Sequence, residues 1–227
     1  MISVKLTVKE LERNEACVEG INTFRKLFGN KLHVKKWTSV HSVWIASSFT
    51  TYCMFLAESG LIPIPRLSNV DLRGHDLRNA YLANAIMYRA NLKDANLSCS
   101  NMENAYMRCA ILDGANLQAA NLDDSDLELS TMRTANLKSA SFRYVNARYA
   151  KMISADMSYA DLSGADFESA NLSKANLSYA YMRSTYFRHA NLRGADLRHA
   201  DFRGADLRCT DMRGADTRGA NFEGAIT

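Results

Sequence analysis

The chain has 227 residues, 47% of them hydrophobic and 23% charged. That suits one domain of ordinary size, or a module with a small addition, and excludes a disordered chain. Two prolines and eleven glycines exclude collagen-like and proline-rich filaments, and five irregularly spaced cysteines argue against a disulfide framework. The formal charge of +4 is too small to mark a nucleic-acid binder on its own.

The positive excess sits at the start. Residues 1–66 hold nine Lys/Arg and five Glu, whereas residues 67–227 hold nineteen basic and nineteen acidic residues. The opening MISVKLTVKELERNEA has no apolar core followed by a small-residue cleavage site, so no secretory signal is read and a cytoplasmic location is expected. Thr7-Val8-Lys9-Glu10 fits a capping box that opens a short helix. Val18, Ile21, Phe24, Leu27 and Phe28 fall at helical spacing, with Gly29 as a stop. Residues 31–36 read as extended. Thr38 or Ser39 starts a second helix ending near Gly60, and Ile62-Pro63-Ile64-Pro65 is extended. Residues 37–57 lack a formal charge over a bilayer-spanning length. Their eight Ser, Thr and His residues favour a packed helix over a membrane span.

From Leu72 to Phe222 the chain repeats every five residues without a slip. Of 31 central positions, sixteen are Leu, eight Met and five Phe; only Ala147 and Thr217 depart. Two residues earlier, 23 of 31 are Ala, and the residue between is Asp or Asn in 22 of 31. The period decides the geometry. A helix would smear the Leu around its cylinder, and a continuous strand would flip it at every step. A composite unit escapes both. Three extended residues point Ala and Leu inward and Asp or Asn outward, and two more turn a corner. The chain then winds as a coil whose turns stack at ~4.8 Å. A narrow interior needs the small Ala beside the large Leu.

The stretches YLANA, ANLKDANLSCS, ADLSGADFESANLSKANLS and ADLRHADFRGADLR resemble the pentapeptide repeat family, over roughly residues 67–226. The resemblance implies a mainly β fold, a right-handed quadrilateral β-helix with four units per coil and about eight coils, roughly 37 Å long at the inter-strand spacing. Residues 66–227 form this solenoid, and residues 1–65 are expected to form an α-helical cap on its open first coil. EACVEGINTFRKLFGN resembles a short helical module of some phage-encoded members. Four units per coil place Leu82, Met102, Leu122, Phe142, Leu162, Met182, Phe202 and Phe222 in one core ladder. Met87, Met107, Leu127, Ala147, Phe167, Phe187 and Leu207 form the next, in which Ala147 leaves room for the Phe167 ring.

Three outward features rise above the repeat. Tyr81, Ile86, Tyr88, Tyr106 and Ile111 are apolar where polar residues are the rule, and form a candidate docking face, first of all for the N-terminal helices. Glu103, Asp113, Asp123, Asp124, Asp126 and Glu128 form a candidate acidic patch on the early coils. Arg183, Arg188, Arg193, Arg198, Arg203, Arg208, Arg213 and Arg218 form a candidate basic belt. Pairing with Asp196, Asp201, Asp206, Asp211 and Asp216 makes that belt a solvated shell; its functional reading is docking to phosphate or to an acidic protein.

No phosphate loop, nucleophile elbow or metal-ligand spacing appears, so no enzyme, metal or cofactor is expected. Cys99 and Cys109, ten residues apart, fall on opposite sides of a four-sided coil and cannot bridge. The resemblance implies a non-catalytic interaction scaffold. Some family members mimic a DNA duplex and bind DNA gyrase or another type II topoisomerase. A 37 Å duplex would carry ~22 phosphate charges, whereas this repeat region has none in net and lacks inserted loops, so only the acidic early coils suit that part. The alternative is an adaptor that binds nucleic acid or an anionic surface through the arginine belt and the basic N-terminal segment. The repeat running to Ala225 leads to the expectation of a homodimer formed end to end.

Overall fold

The computed structural model describes residues 4–7, 31–34 and 66–227. Strand β1 (Val4–Thr7) pairs antiparallel with β2 (Lys31–Val34), Val4 opposite Val34 and Thr7 opposite Lys31. The extended reading of residues 31–36 therefore holds over 31–34. The helices expected within residues 8–29 and 38–60, and the uncharged stretch 37–57, lie outside the described residues. Among the described residues no helix is long and apolar enough to cross a membrane.

Residues 66–227 wind as a β-helix whose repeat is set by its bridges. Arg66 pairs parallel with Ile86, Asp71 with Asn91, Asp76 with Asn96 and Tyr81 with Asn101, and each pairing recurs at the same twenty-residue offset to Asp206–Ile226. Four five-residue units thus close each coil. We number the faces in chain order by their central residues. Face 1 carries Met87 to Leu207, face 2 Leu92 to Met212, face 3 Leu97 to Thr217, and face 4 Leu82 to Phe222.

Backbone bonding explains why the coil is regular. The N–H of Leu72 donates to the C=O of Asn91 in the next coil (2.7 Å), and the N–H of Asn91 donates back to Val70 (2.9 Å). The corner closes through a bond from Ala80 N–H to Leu77 C=O (3.1 Å). Its last residue takes positive φ. Twenty-four non-glycine residues, Asn69 through Cys209, hold this left-handed conformation, as do eight glycines. Each such L-residue costs roughly 1–2 kcal/mol, so the corners are imposed by coil closure and packing rather than by local preference.

The interior is a column of side chains. The central Leu, Met and Phe residues from Leu67 to Leu207, and nearly every Ala two places earlier, are buried. The Ala-to-Leu spacing that predicts an inward pair is what the packing uses. Phe142 and Phe167 stack across the corner between faces 4 and 1, ring centroids 5.8 Å apart. Ala147 follows Phe142 on the next face of the same coil and sits one coil before Phe167, so its small side chain leaves the space both rings occupy. Phe167 stacks in turn on Phe187 at 5.2 Å.

Candidate protein-interaction surface

Because the core consumes two of every five side chains, function rests on the other three, held in a fixed lattice. Face 3 shows how that lattice is stiffened. Asn136 Nδ2 donates to Asn116 Oδ1 (3.0 Å), and Asn116 Nδ2 to Asn96 Oδ1 (3.2 Å). The ladder runs one way only. Asp156 has no amide to donate to Asn136, but it accepts from Asn176 (3.0 Å). At the corner between faces 3 and 4, Tyr159, Tyr179 and His199 stack with centroids 5.0 and 4.8 Å apart, and Lys138 Nζ lies 5.8 Å from the Tyr159 ring centre.

The acidic patch is spread over three faces and largely paired. Glu103 and Asp123 lie on face 4, Asp126 and Glu128 on face 1, Asp113 on face 2, and Asp124 at the corner between faces 4 and 1. Arg108 pairs with Glu128 (2.7 Å), Arg133 with Asp113 (3.2 Å) and Arg143 with Asp123 (2.5 Å), each one coil apart. Asp126 accepts from Asn146 Nδ2 (3.0 Å). Asp123 is buried, which by itself raises its pKa. Bonds from the Arg143 guanidinium, Ser141 Oγ and the Arg143 N–H outweigh that and hold it below the ordinary value. Only Glu103 and Asp124 have neither an ion pair nor a carboxylate hydrogen bond among the described residues.

The arginine belt divides in two. Wherever Asp precedes Arg by two places, the pair forms a two-pronged fork: Asp71–Arg73, Asp76–Arg78, Asp196–Arg198, Asp201–Arg203, Asp206–Arg208, Asp211–Arg213 and Asp216–Arg218. In Asp206, Nε reaches one carboxylate oxygen at 2.9 Å and Nη2 the other at 2.5 Å. The fork donors hold the carboxyls of Asp206, Asp211 and Asp216 down at about 2. The forks lie at the two ends of the solenoid. Arg183, Arg188 and Arg193 follow Tyr181, Tyr186 and Asn191 instead, so they have no Asp of their own. Arg183 borrows Asp201 from the next coil (2.6 Å), Arg193 stands 4.0 Å from Asp211, and Arg188 has no ion pair among the described residues.

The apolar face is only partly open. Tyr81 and Ile86 are half-buried, while Tyr88, Tyr106 and Ile111 are exposed. Ile86, Tyr88 and Tyr106 share face 1, with the Arg89 guanidinium 5.1 Å from the Tyr88 ring centre. A larger set of exposed tyrosines escaped the sequence reading: Tyr144, Tyr149, Tyr159, Tyr179, Tyr181 and Tyr186. Their signal is visible as aromatic residues at the outward and corner places of the later coils.

No grouping of three or more His, Cys, Asp or Glu side chains fit to hold a metal occurs among the described residues. Cys99, Cys109 and Cys209 are free thiols. A depression of about 580 Å³ lined by Asp71, Arg73, Gly74, His75, Lys93 and Asp94 is open to solvent.

The twenty-residue bridge offset, the inward Ala–Leu pair and the unbroken five-residue register together match the family model described as pentapeptide repeats, in eight copies between residues 66 and 224. The chain belongs to the pentapeptide repeat family. Among solved structures it is similar to HetL, a pentapeptide repeat protein involved in heterocyst differentiation regulation from the cyanobacterium Nostoc sp. strain PCC 7120. That match has 28% identity over 73% of this chain and 77% of HetL, with a TM-score of 0.56. QnrB1, a plasmid-mediated fluoroquinolone resistance protein, matches at 19% identity over 66% of this chain and 90% of its own, with a TM-score of 0.39. The pentapeptide repeat protein alr5209, also from Nostoc, matches at 30% over 53% and 83%, with a TM-score of 0.20. No curated protein matches significantly. Neither the family model nor the likeness to HetL indicates a catalytic family.

Proposed function

We infer that this pentapeptide repeat protein is a non-catalytic scaffold that binds a protein partner through fixed outward positions. The observation that carries this reading is the set of exposed tyrosines on a charge-paired rod. Tyr88, Tyr106, Tyr144, Tyr149, Tyr159, Tyr179, Tyr181 and Tyr186 are all exposed, and tyrosine is enriched where proteins bind one another. A photo-crosslinking residue placed at each tyrosine in turn, in cells of the source organism, tests it. Adducts with one protein at adjoining positions support the scaffold; their absence at every position rejects it.

Within that reading, the acidic early coils are the candidate contact for a type II topoisomerase. Three of the six carboxylates are ion-paired, so Glu103 and Asp124 would bear most of the contact. Gyrase supercoiling with the wild-type chain and with Glu103→Gln/Asp124→Asn tests this; no inhibition by either protein ends the idea. The homodimer belongs here too. In the last described coil Met212 and Phe222 are half-buried and Ile226 exposed. Sedimentation of wild type against Phe222→Glu tests self-association there, and a monomeric wild type rejects it.

The adaptor for nucleic acid is the weaker reading, because five of the eight belt arginines are forked to Asp. Binding that falls steeply with salt would favour it.

A further inference from the structure

Resting on the scaffold reading, we propose that Tyr181, Arg183, Tyr186 and Arg188 form the docking site, and that its ligand is a short acidic segment of the partner protein. In most of the last two coils the outward place before the core residue is Asp, and the arginine two places on is forked to it. In the coil through Met182 and Phe187 that place holds tyrosine on two adjoining faces. Tyr181 and Tyr186 are 53% and 52% exposed. The carboxylate that would neutralise each arginine is therefore replaced by an aromatic ring. Arg183 shares Asp201 with Arg203, so two guanidiniums meet one carboxylate there. Arg188 has no ion pair among the described residues, and its charge reaches Asp206, which Arg208 already holds. Tyr179 stands two residues before Tyr181, at the edge of the same face.

Faces 4 and 1 thus present two surplus cations flanked by exposed tyrosines, the pairing of residue types that dominates binding energy at protein interfaces. The surplus is confined to one coil, about 4.8 Å wide. One coil earlier on these faces lie Asp161, Asp166 and Glu168, and one coil later Asp201 and Asp206. A nucleic-acid backbone, with a charge every ~1.7 Å of duplex, would run into Asp161, Asp166 and Glu168 on one side, and on the other it would meet Asp201 and Asp206 already held by Arg203 and Arg208. One or two side-chain carboxylates on a protein loop fit between them, with the rings contacting the loop's apolar atoms.

The test uses the full chain and a fluorescein-labelled decapeptide of alternating glutamate and leucine, followed by anisotropy. A lysine–leucine peptide and a ten-nucleotide oligo-dT serve as comparisons. The glutamate peptide should bind saturably and the other two should not. Arg183→Ala/Arg188→Ala should weaken it at least about tenfold, and Tyr181→Ala/Tyr186→Ala comparably. Arg213→Ala/Arg218→Ala, which removes forked arginines, should change it less than about twofold. Thermal melts of each variant separate lost binding from lost folding. No binding of the glutamate peptide, equal losses in the two arginine pairs, or oligo-dT binding lost with Arg183 and Arg188 overturns the proposal. Crosslinkers at Tyr186 and at Tyr106 distinguish this from the scaffold reading. Adducts at Tyr106 but not at Tyr186 reject this site and leave the scaffold. None at any of the exposed tyrosines rejects the scaffold itself.

Discussion

Arg143 reaches back one full coil to Asp123. It donates its own N–H to Oδ1 at 2.9 Å and Nε and Nη2 to Oδ2 at 2.9 and 2.5 Å. Asp123 is only 5% exposed, so removing its partner strands a desolvated carboxylate. Arg143→Ala should cost ~1–3 kcal/mol in urea unfolding. The pH dependence has a definite sign. The carboxyl is held below its ordinary value, so its stabilisation is present above the unfolded carboxylate range near ~4 and is lost as pH falls through the folded value. In Arg143→Ala the guanidinium no longer offsets burial, so the folded value of this carboxyl rises and its loss of stability at low pH should shrink or reverse. Identical pH profiles for the two proteins would reject this account.

The forks in the last coils make a second acid prediction. Asp206, Asp211 and Asp216 titrate at about 2 when folded, against ~3.9 for a free aspartate. Their contribution is complete above the unfolded value and disappears as pH falls from about 4 towards 2. Carboxyl resonances of these three residues should titrate near that lower limit. The melting temperature of wild type should drop across this window by more than that of Arg208→Ala/Arg213→Ala/Arg218→Ala. Parallel drops would mean that the forks, exposed as they are, add nothing to stability.

The asparagine ladder separates donation from acceptance. Asn116 both donates to Asn96 and accepts from Asn136. Asn116→Ala removes both bonds, and with them the acceptor of the Gln118 N–H, and should cost about 1 kcal/mol. Asn116→Asp keeps the acceptor, as Asp156 does beneath Asn176, and should cost about half as much. Chemical denaturation of the two variants at pH 7 decides; a costlier Asp variant would show that a carboxylate facing Asn96 Oδ1 costs more than the retained acceptor contributes.

How far the sequence reveals all this depends on the distance over which residues interact. The five-residue period needs only local pattern, so the inward Ala–Leu pair and the continuous core follow from composition and sterics. Four units per coil do not; that number came with the family resemblance. The forks are local as well, Asp and Arg being two residues apart. The pairs Asp113–Arg133, Asp123–Arg143 and Arg108–Glu128 span twenty residues, and they are visible only when charges are compared at the coil offset. The eight arginines share one place in the repeat, and what separates Arg183 and Arg188 is the tyrosine two residues before each. Strand β1 leaves little mark in the sequence, because Val4 and Leu6 give only two alternating apolar positions, too few to fix a period.

Ala147 gives the sharpest test of packing against pattern. It is one of two departures at the central position, and restoring the consensus by Ala147→Leu would ordinarily count as an improvement. The core says otherwise. Phe142 and Phe167 stack nearly parallel, 6° between planes, and Ala147 is fully buried beside them. A leucine there adds three heavy atoms to a filled column and must displace one ring, so Ala147→Leu should destabilise by ~1–3 kcal/mol. The double change Ala147→Leu/Phe142→Leu vacates ring volume for the new side chain and should recover part of that loss. Stability rising in the single variant would mean that the cavity is larger than the stacked rings imply, and that Ala147 is a tolerated gap rather than a matched fit.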